Sequence, residues 1–175
     1  MRTLLLVCML ALITALSAAC GGGGPSCQTV CNKMMTCDTR MEMSECLQIC
    51  DLYKQYMRGN VYDALANCYM DHSCEELEAN GEMCFEMAMA AGDPSAASDM
   101  IDRFCDKAVE CGGYQDRQAC VDQVTEDGEF LGMVGMFKDS VLDCFINCVT
   151  GKSCEELEED EAIEACSENC GLFVD

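Results

Sequence analysis

Sixteen cysteines between Cys27 and Cys170 limit what this chain can fold into more than any other feature. They divide into two sets of eight. The first is Cys27, Cys31, Cys37, Cys46, Cys50, Cys68, Cys74 and Cys84; the second is Cys105, Cys111, Cys120, Cys144, Cys148, Cys154, Cys166 and Cys170. The spacing recurs between the sets. CNKMMTC (Cys31–Cys37) matches CDKAVEC (Cys105–Cys111), and HSCEELE (His72–Glu78) matches KSCEELE (Lys152–Glu158). The offset is 74 residues early and 80 late, so the second copy carries a six-residue insertion between Cys120 and Cys148. Self-similarity of this kind is the mark of an internal duplication. GDPS (Gly92–Ser95) is the natural boundary, because Gly and Pro punctuate the chain and the Ser can cap a helix.

The copies differ in which cysteines they keep. Cys27 and Cys50 correspond to Ile101 and Val124 in the second copy. Cys144 and Cys170 correspond to Ala64 and Ala88 in the first. A disulfide is lost or gained two cysteines at a time, so the comparison selects Cys27–Cys50 and Cys144–Cys170 as pairs. Spacing supports them. Cys27/Cys31 and Cys46/Cys50 are each four apart, on one face of a helix. Two antiparallel helices joined by a turn at Asp38–Met43 set Cys27 opposite Cys50 and Cys31 opposite Cys46. Cys144/Cys148 and Cys166/Cys170 repeat the ladder, which adds Cys148–Cys166. Equivalence then adds Cys105–Cys120 and Cys68–Cys84, and leaves Cys37–Cys74 and Cys111–Cys154 to tie hairpins together. Sixteen thiols allow on the order of a million pairings; these eight are the set that the comparison of copies selects.

Apolar residues recur with helical spacing, and clean alternation is missing. The expected fold is all-α, a tandem duplication of small disulfide-stapled helical hairpins. Helices are expected near 27–37, 44–57, 61–70, 73–79, 82–91, 95–110, 115–126, 130–149, 153–159 and 161–170. In each SCEELE the Ser is an N-cap and the second Glu closes a capping box, Ser73 with Glu76 and Ser153 with Glu156. Cys68 and Cys84 are centred on Glu76 rather than on a turn, so this piece is expected as a short helix across the end of a hairpin.

The N-terminus places the chain outside the cytoplasm. Arg2 is a short positive region, Leu4–Leu16 an apolar stretch, and Ser17-Ala18-Ala19 small residues before Cys20. This reads as a secretory signal peptide, too short to span a bilayer. LSAAC (Leu16–Cys20) resembles a bacterial lipobox, with Ser17 where the family most often has Leu. The resemblance implies cleavage before Cys20 and acylation of that residue, with palmitate-class chains as the membrane anchor. Parity agrees: without Cys8 and Cys20 the cysteine count is an even sixteen. Gly21–Gly24 with Pro25-Ser26 reads as a flexible tether. The divisions are therefore 1–19 signal peptide, 20–26 anchor and tether, 27–91 first repeat and 95–170 second repeat. Gly21 in place of Asp points by the same resemblance to the outer membrane, on its periplasmic or surface side. Ser17-Ala18-Ala19 would also suit ordinary signal peptidase, which would give a soluble secreted protein. In overall character the chain resembles Cys-rich lipoproteins of myxobacteria, a group of undefined activity. The twin CX3C hairpin is similar in spacing to those of small intermembrane-space chaperones, a likeness that extends no further.

Beyond position 19 the chain has 32 acidic and 9 basic residues, a net of about −23. Such a surface repels phosphate backbones, which excludes nucleic acid as a partner. The expected partners are the membrane through the anchor and a protein or extracellular ligand.

The motifs of chemistry are thin. There is no CXXC, GXSXG, HEXXH or P-loop. His72 is the one histidine, and Lys152 takes its place in the second copy. TEDGE (Thr125–Glu129) lacks EF-hand ligand spacing. No catalytic residue and no cofactor is expected, and the chain reads as a binding or structural module rather than an enzyme. The alternative is Cu(I) handling by soft thioethers, with Met41/Met43 and Met87/Met89 as candidate ligands beside any free thiols.

Overall fold

The computed structural model describes residues 23–38, 40–126 and 128–172. The expected signal peptide, Cys20 and the start of the glycine run lie outside the described residues. Among the described residues there are eleven α-helices, one 3-10 turn and no strand beyond a single isolated bridge.

Helix α1 (Cys27–Cys37) and α2 (Met43–Tyr56) form the first hairpin. Ser26 starts it: its side chain accepts from the Thr29 amide. Helices α3 (Gly59–Asp71) and α5 (Met83–Ala90) form the second hairpin, with α4 (Cys74–Ala79) across its end. After the 3-10 turn Pro94–Ala96, α6 (Ala97–Glu110) pairs with α7 (Arg117–Glu126). Then follow α8 (Gly128–Gly135), α9 (Asp139–Gly151), α10 (Cys154–Leu157) and α11 (Asp160–Cys170), with α9 and α11 as the last hairpin.

Eight disulfides use all sixteen of these cysteines: Cys27–Cys50, Cys31–Cys46, Cys37–Cys74, Cys68–Cys84, Cys105–Cys120, Cys111–Cys154, Cys144–Cys170 and Cys148–Cys166. They are the same eight pairs that the comparison of the copies selects. Cα separations run from 5.0 to 5.7 Å, the ordinary reach of a disulfide. Nested pairs such as Cys27–Cys50 around Cys31–Cys46 require the two helices to run antiparallel. Cys37–Cys74 and Cys111–Cys154 each join one hairpin to the short helix capping the next. Eight bridges suit an oxidising, exported environment.

The staples are also the core. Cys31, Cys105, Cys120 and Cys166 have no exposed surface, and Cys68 and Cys84 have almost none. Three small clusters result. One gathers Cys27, Val30, Cys31, Cys46, Cys50, Tyr62 and Ala66. A second is built on Val61, Leu65, Cys68, Cys84, Ala88 and two methionines, Met57 and Met136. The third holds Met100, Ile101, Cys105, Cys120, Leu142 and Ile146.

The expected single helix over 130–149 is broken. The chain leaves α8 after Gly135, turns at Met136, and passes through the bridge residue Phe137 and the extended Lys138 before α9 begins. The break has a partner. Met57 and Phe137 form an antiparallel bridge in which the Arg58 amide donates to Met136 O (2.9 Å) and the Lys138 amide to Tyr56 O (3.0 Å). The backbone groups released by the break are satisfied across the bridge. Met136 is carried into the first half, where it is 1% exposed among Val61, Cys68 and Cys84. Gly135 is required here, because a Cβ on it would sit 2.9 Å from the Asp93 carbonyl carbon.

Candidate functional site

The residues that replace the missing staple in the second half are all apolar. Ile101 and Val124 stand where the first half has Cys27 and Cys50, Leu142 where it has Tyr62, and Phe145 where it has Leu65. The helices carrying Ile101 and Val124, α6 and α7, are joined by Cys105–Cys120 but have no second bridge at this end. They enclose an apolar cavity of about 520 Å³ between α6, α7, α8, α9 and α11. Its floor is Met100, Ile101 and Val134, all buried. Its walls are Phe104, Phe130, Phe137 and Phe145, all half-buried, so solvent reaches the rings. Four of the chain's six phenylalanines converge on this one place.

Two polar side chains line it, Tyr114 and Ser167. Ser167 is 3% exposed, and its hydroxyl donates to Ile163 O at 3.0 Å. Among the described lining residues there is no carboxylate, imidazole or thiol. The five Lys and Arg side chains of this half are engaged. Arg103 binds Asn147 and faces Asp99 and Asp143; Lys107 pairs with Glu110; Arg117 pairs with Asp102 and Asp106. Lys152 pairs with Glu156, and Lys138 spends its ammonium on the Lys54 and Gln55 carbonyls.

The overlapping place in the first half is smaller, about 210 Å³; Tyr53, Tyr62 and Tyr69 line it, with Val30 and Leu65 where the second half has Phe104 and Phe145. The Cys27–Cys50 bridge occupies part of it. The Tyr62 hydroxyl donates to Pro25 O (3.1 Å) and lies 3.3 Å from Cys50 Sγ. Burial raises the Tyr62 pKa, helped by the negative charges of Asp63 and Asp51. Burial does the same for Tyr69, helped by Tyr53. Lys54 lies 5.0 Å above the Tyr62 ring, a cation–π contact.

Metal-ligating groups meet once among the described residues, at Cys68, His72 and Cys84. His72 Nδ1 lies 3.6 Å from Cys68 Sγ and 2.9 Å from Cys68 O. Both sulfurs belong to a buried disulfide, and a disulfide sulfur is not the thiolate that binds zinc. The candidate thioethers are dispersed. Met41 and Met43 pack on the Cys31 cluster, Met89 on the Cys68 cluster, and Met87 is 47% exposed.

Sequence reasoning missed the cavity. The usable signal was the pair of apolar substitutions at Ile101 and Val124, which marks where the second half lacks a staple. No protein-family model, no curated protein and no solved structure matches the chain.

Proposed function

We propose that this protein is an exported cell-envelope module, anchored in the outer membrane through an acylated Cys20, that binds rather than catalyses. It is built from two copies of one stapled helical unit. The observation that carries the reading is the complete use of sixteen cysteines in eight disulfides, which suits a domain working in an oxidising exterior. The LSAAC sequence and the glycine run supply the anchor and its reach from the membrane. The half-open cavity among Phe104, Phe130 and Phe145 supplies a place to bind. Fractionation of cells expressing the full-length chain tests the anchor. The parent is expected in the outer-membrane fraction and Cys20→Ala in the soluble exported fraction; a parent chain found soluble would overturn it.

Cu(I) handling is the second reading, and one observation favours it. Met57 and Met136 are buried together with the partly buried Met83, Met89 and Met133 in a single cluster at the junction of the halves. The ordinary explanation is that flexible thioethers fill an irregular junction. Competition with a Cu(I) chelator separates the two, since a filler has no affinity for the ion.

A further inference from the structure

We infer that the cavity of the second half is a binding site for an uncharged, apolar small molecule. This rests on the binding reading above and names the ligand class for it. Three observations lead there. The volume, about 520 Å³, falls within the roughly 300–1,000 Å³ of small-molecule sites. The overlapping place in the first half is narrower, about 210 Å³, with Cys50 of the Cys27–Cys50 staple and Tyr62 in its lining. The larger volume and the phenylalanine lining are therefore features of one half. The lining fixes the chemistry: four half-exposed phenylalanine rings over an apolar floor leave hydrated surface that a fitting apolar body would cover.

Charge decides against an anionic ligand such as a fatty acid. Arg103, Lys107, Arg117, Lys138 and Lys152 are each already paired with carboxylates or carbonyls. The chain as a whole carries a net charge of −22, so a carboxylate or sulfonate on the ligand would meet repulsion and no partner. Ser167 is satisfied by Ile163 O, so Tyr114 is the one polar side chain among the described lining residues left to orient a ligand.

The test compares two dyes with one ring system. N-phenyl-1-naphthylamine is neutral, and 1-anilinonaphthalene-8-sulfonate carries an added sulfonate. Both are titrated into the full-length chain carrying Cys20→Ala, which removes the acylation point and the need for detergent. Saturable one-to-one binding of the neutral dye is expected, at least tenfold tighter than the anionic one. Val124→Trp, which fills the cavity, is expected to weaken it at least tenfold with the helical circular dichroism unchanged. Should that variant lose helicity, I101C/V124C is the second arm, because it restores the staple position of the first half; its oxidised form is expected to lose binding likewise. No saturable binding of the neutral dye overturns the inference, as does unchanged binding in a folded Val124→Trp or in oxidised I101C/V124C. Equal affinity for the two dyes overturns the ligand class. Each of these failures leaves the membrane fractionation result standing, so the site and the anchored-module reading fall separately.

Discussion

Arg58 and Lys138 reach past each other across the junction of the two halves. Arg58 Nε donates to the carbonyl of Gly135 (3.1 Å), and Lys138 Nζ donates to the carbonyl of Gln55 (2.7 Å). The two residues are eighty positions apart, and so are the two carbonyls. Their amides do the same with Met136 O and Tyr56 O. Equivalent positions thus exchange equivalent bonds, the pattern of a self-complementary two-fold contact, here within one chain. Each cation also sits at a helix C-terminus, where unpaired carbonyls favour positive charge.

Arg58→Ala should therefore be the costlier of the two changes. Its side chain is only 19% exposed and also pairs with Asp139. Loss of about 1–3 kcal/mol is expected, read as a lowered denaturation midpoint, with Lys138→Ala nearer 1 kcal/mol. Equal or negligible effects would show that the junction is held by Met57 and Met136 packing alone.

The staples should yield to reductant in a fixed order. Cys37–Cys74 and Cys111–Cys154 have both sulfur residues partly exposed, whereas Cys31–Cys46 and Cys105–Cys120 are buried. Exchange requires access to a sulfur. Cys144 of Cys144–Cys170 is exposed as well, so limited reduction followed by alkylation and peptide mapping should label Cys37, Cys74, Cys111, Cys154 and Cys144 before the buried pairs. Early labelling of Cys31 or Cys105 would contradict the burial.

Both SCEELE segments form the full capping box. The Ser73 and Ser153 hydroxyls accept from the Glu76 and Glu156 amides, and each carboxylate returns to the Ser amide at 2.8 Å. Ser73→Ala should cost about 0.5–2 kcal/mol. The Ser73 amide and then its hydroxyl lower the Glu76 pKa; the Ser153 amide, its hydroxyl and Lys152 lower that of Glu156. A depressed pKa means the stabilisation is whole above the ordinary Glu value of about 4.3 and is lost as pH falls through the lower folded value. Melting temperature should hold down to about pH 5 and fall below about pH 4.3, less steeply in E76Q/E156Q.

Gly171 ends α11 in a left-handed conformation, φ +74°, and a Cβ there would lie 2.3 Å from the Tyr56 ring. Gly171→Ala should cost about 1–3 kcal/mol. Adding Tyr56→Ala removes the clash but not the strain, so the double variant should recover part of that loss in a thermal melt. Full additivity of the two would contradict the contact.

Most helices were legible because cysteines four apart mark one face and capping residues mark starts: α1 lies at Cys27–Cys37 as the spacing implies, and α4 and α10 follow Ser73 and Ser153. The break at Met136–Lys138 was not. Local pattern there favours a continued helix, with Phe137 and Val141 on one face, and only the tertiary bridge to Met57 overrides it. The corresponding break at Met57-Arg58 was legible because Gly59 follows it. The cavity was hidden for a related reason. Phe104, Phe130 and Phe145 look like core residues in sequence, and whether they meet or part depends on an absent staple.

The central claim is an exported, anchored chain whose thiols are all consumed by staples. The direct measurement is the intact mass of the protein extracted from membranes, taken without reduction, before and after thiol alkylation. The expected result is a chain beginning at an acylated Cys20, with eight disulfides and no added alkyl group. Cleavage elsewhere without acylation, or several alkylated cysteines in the native protein, would contradict it.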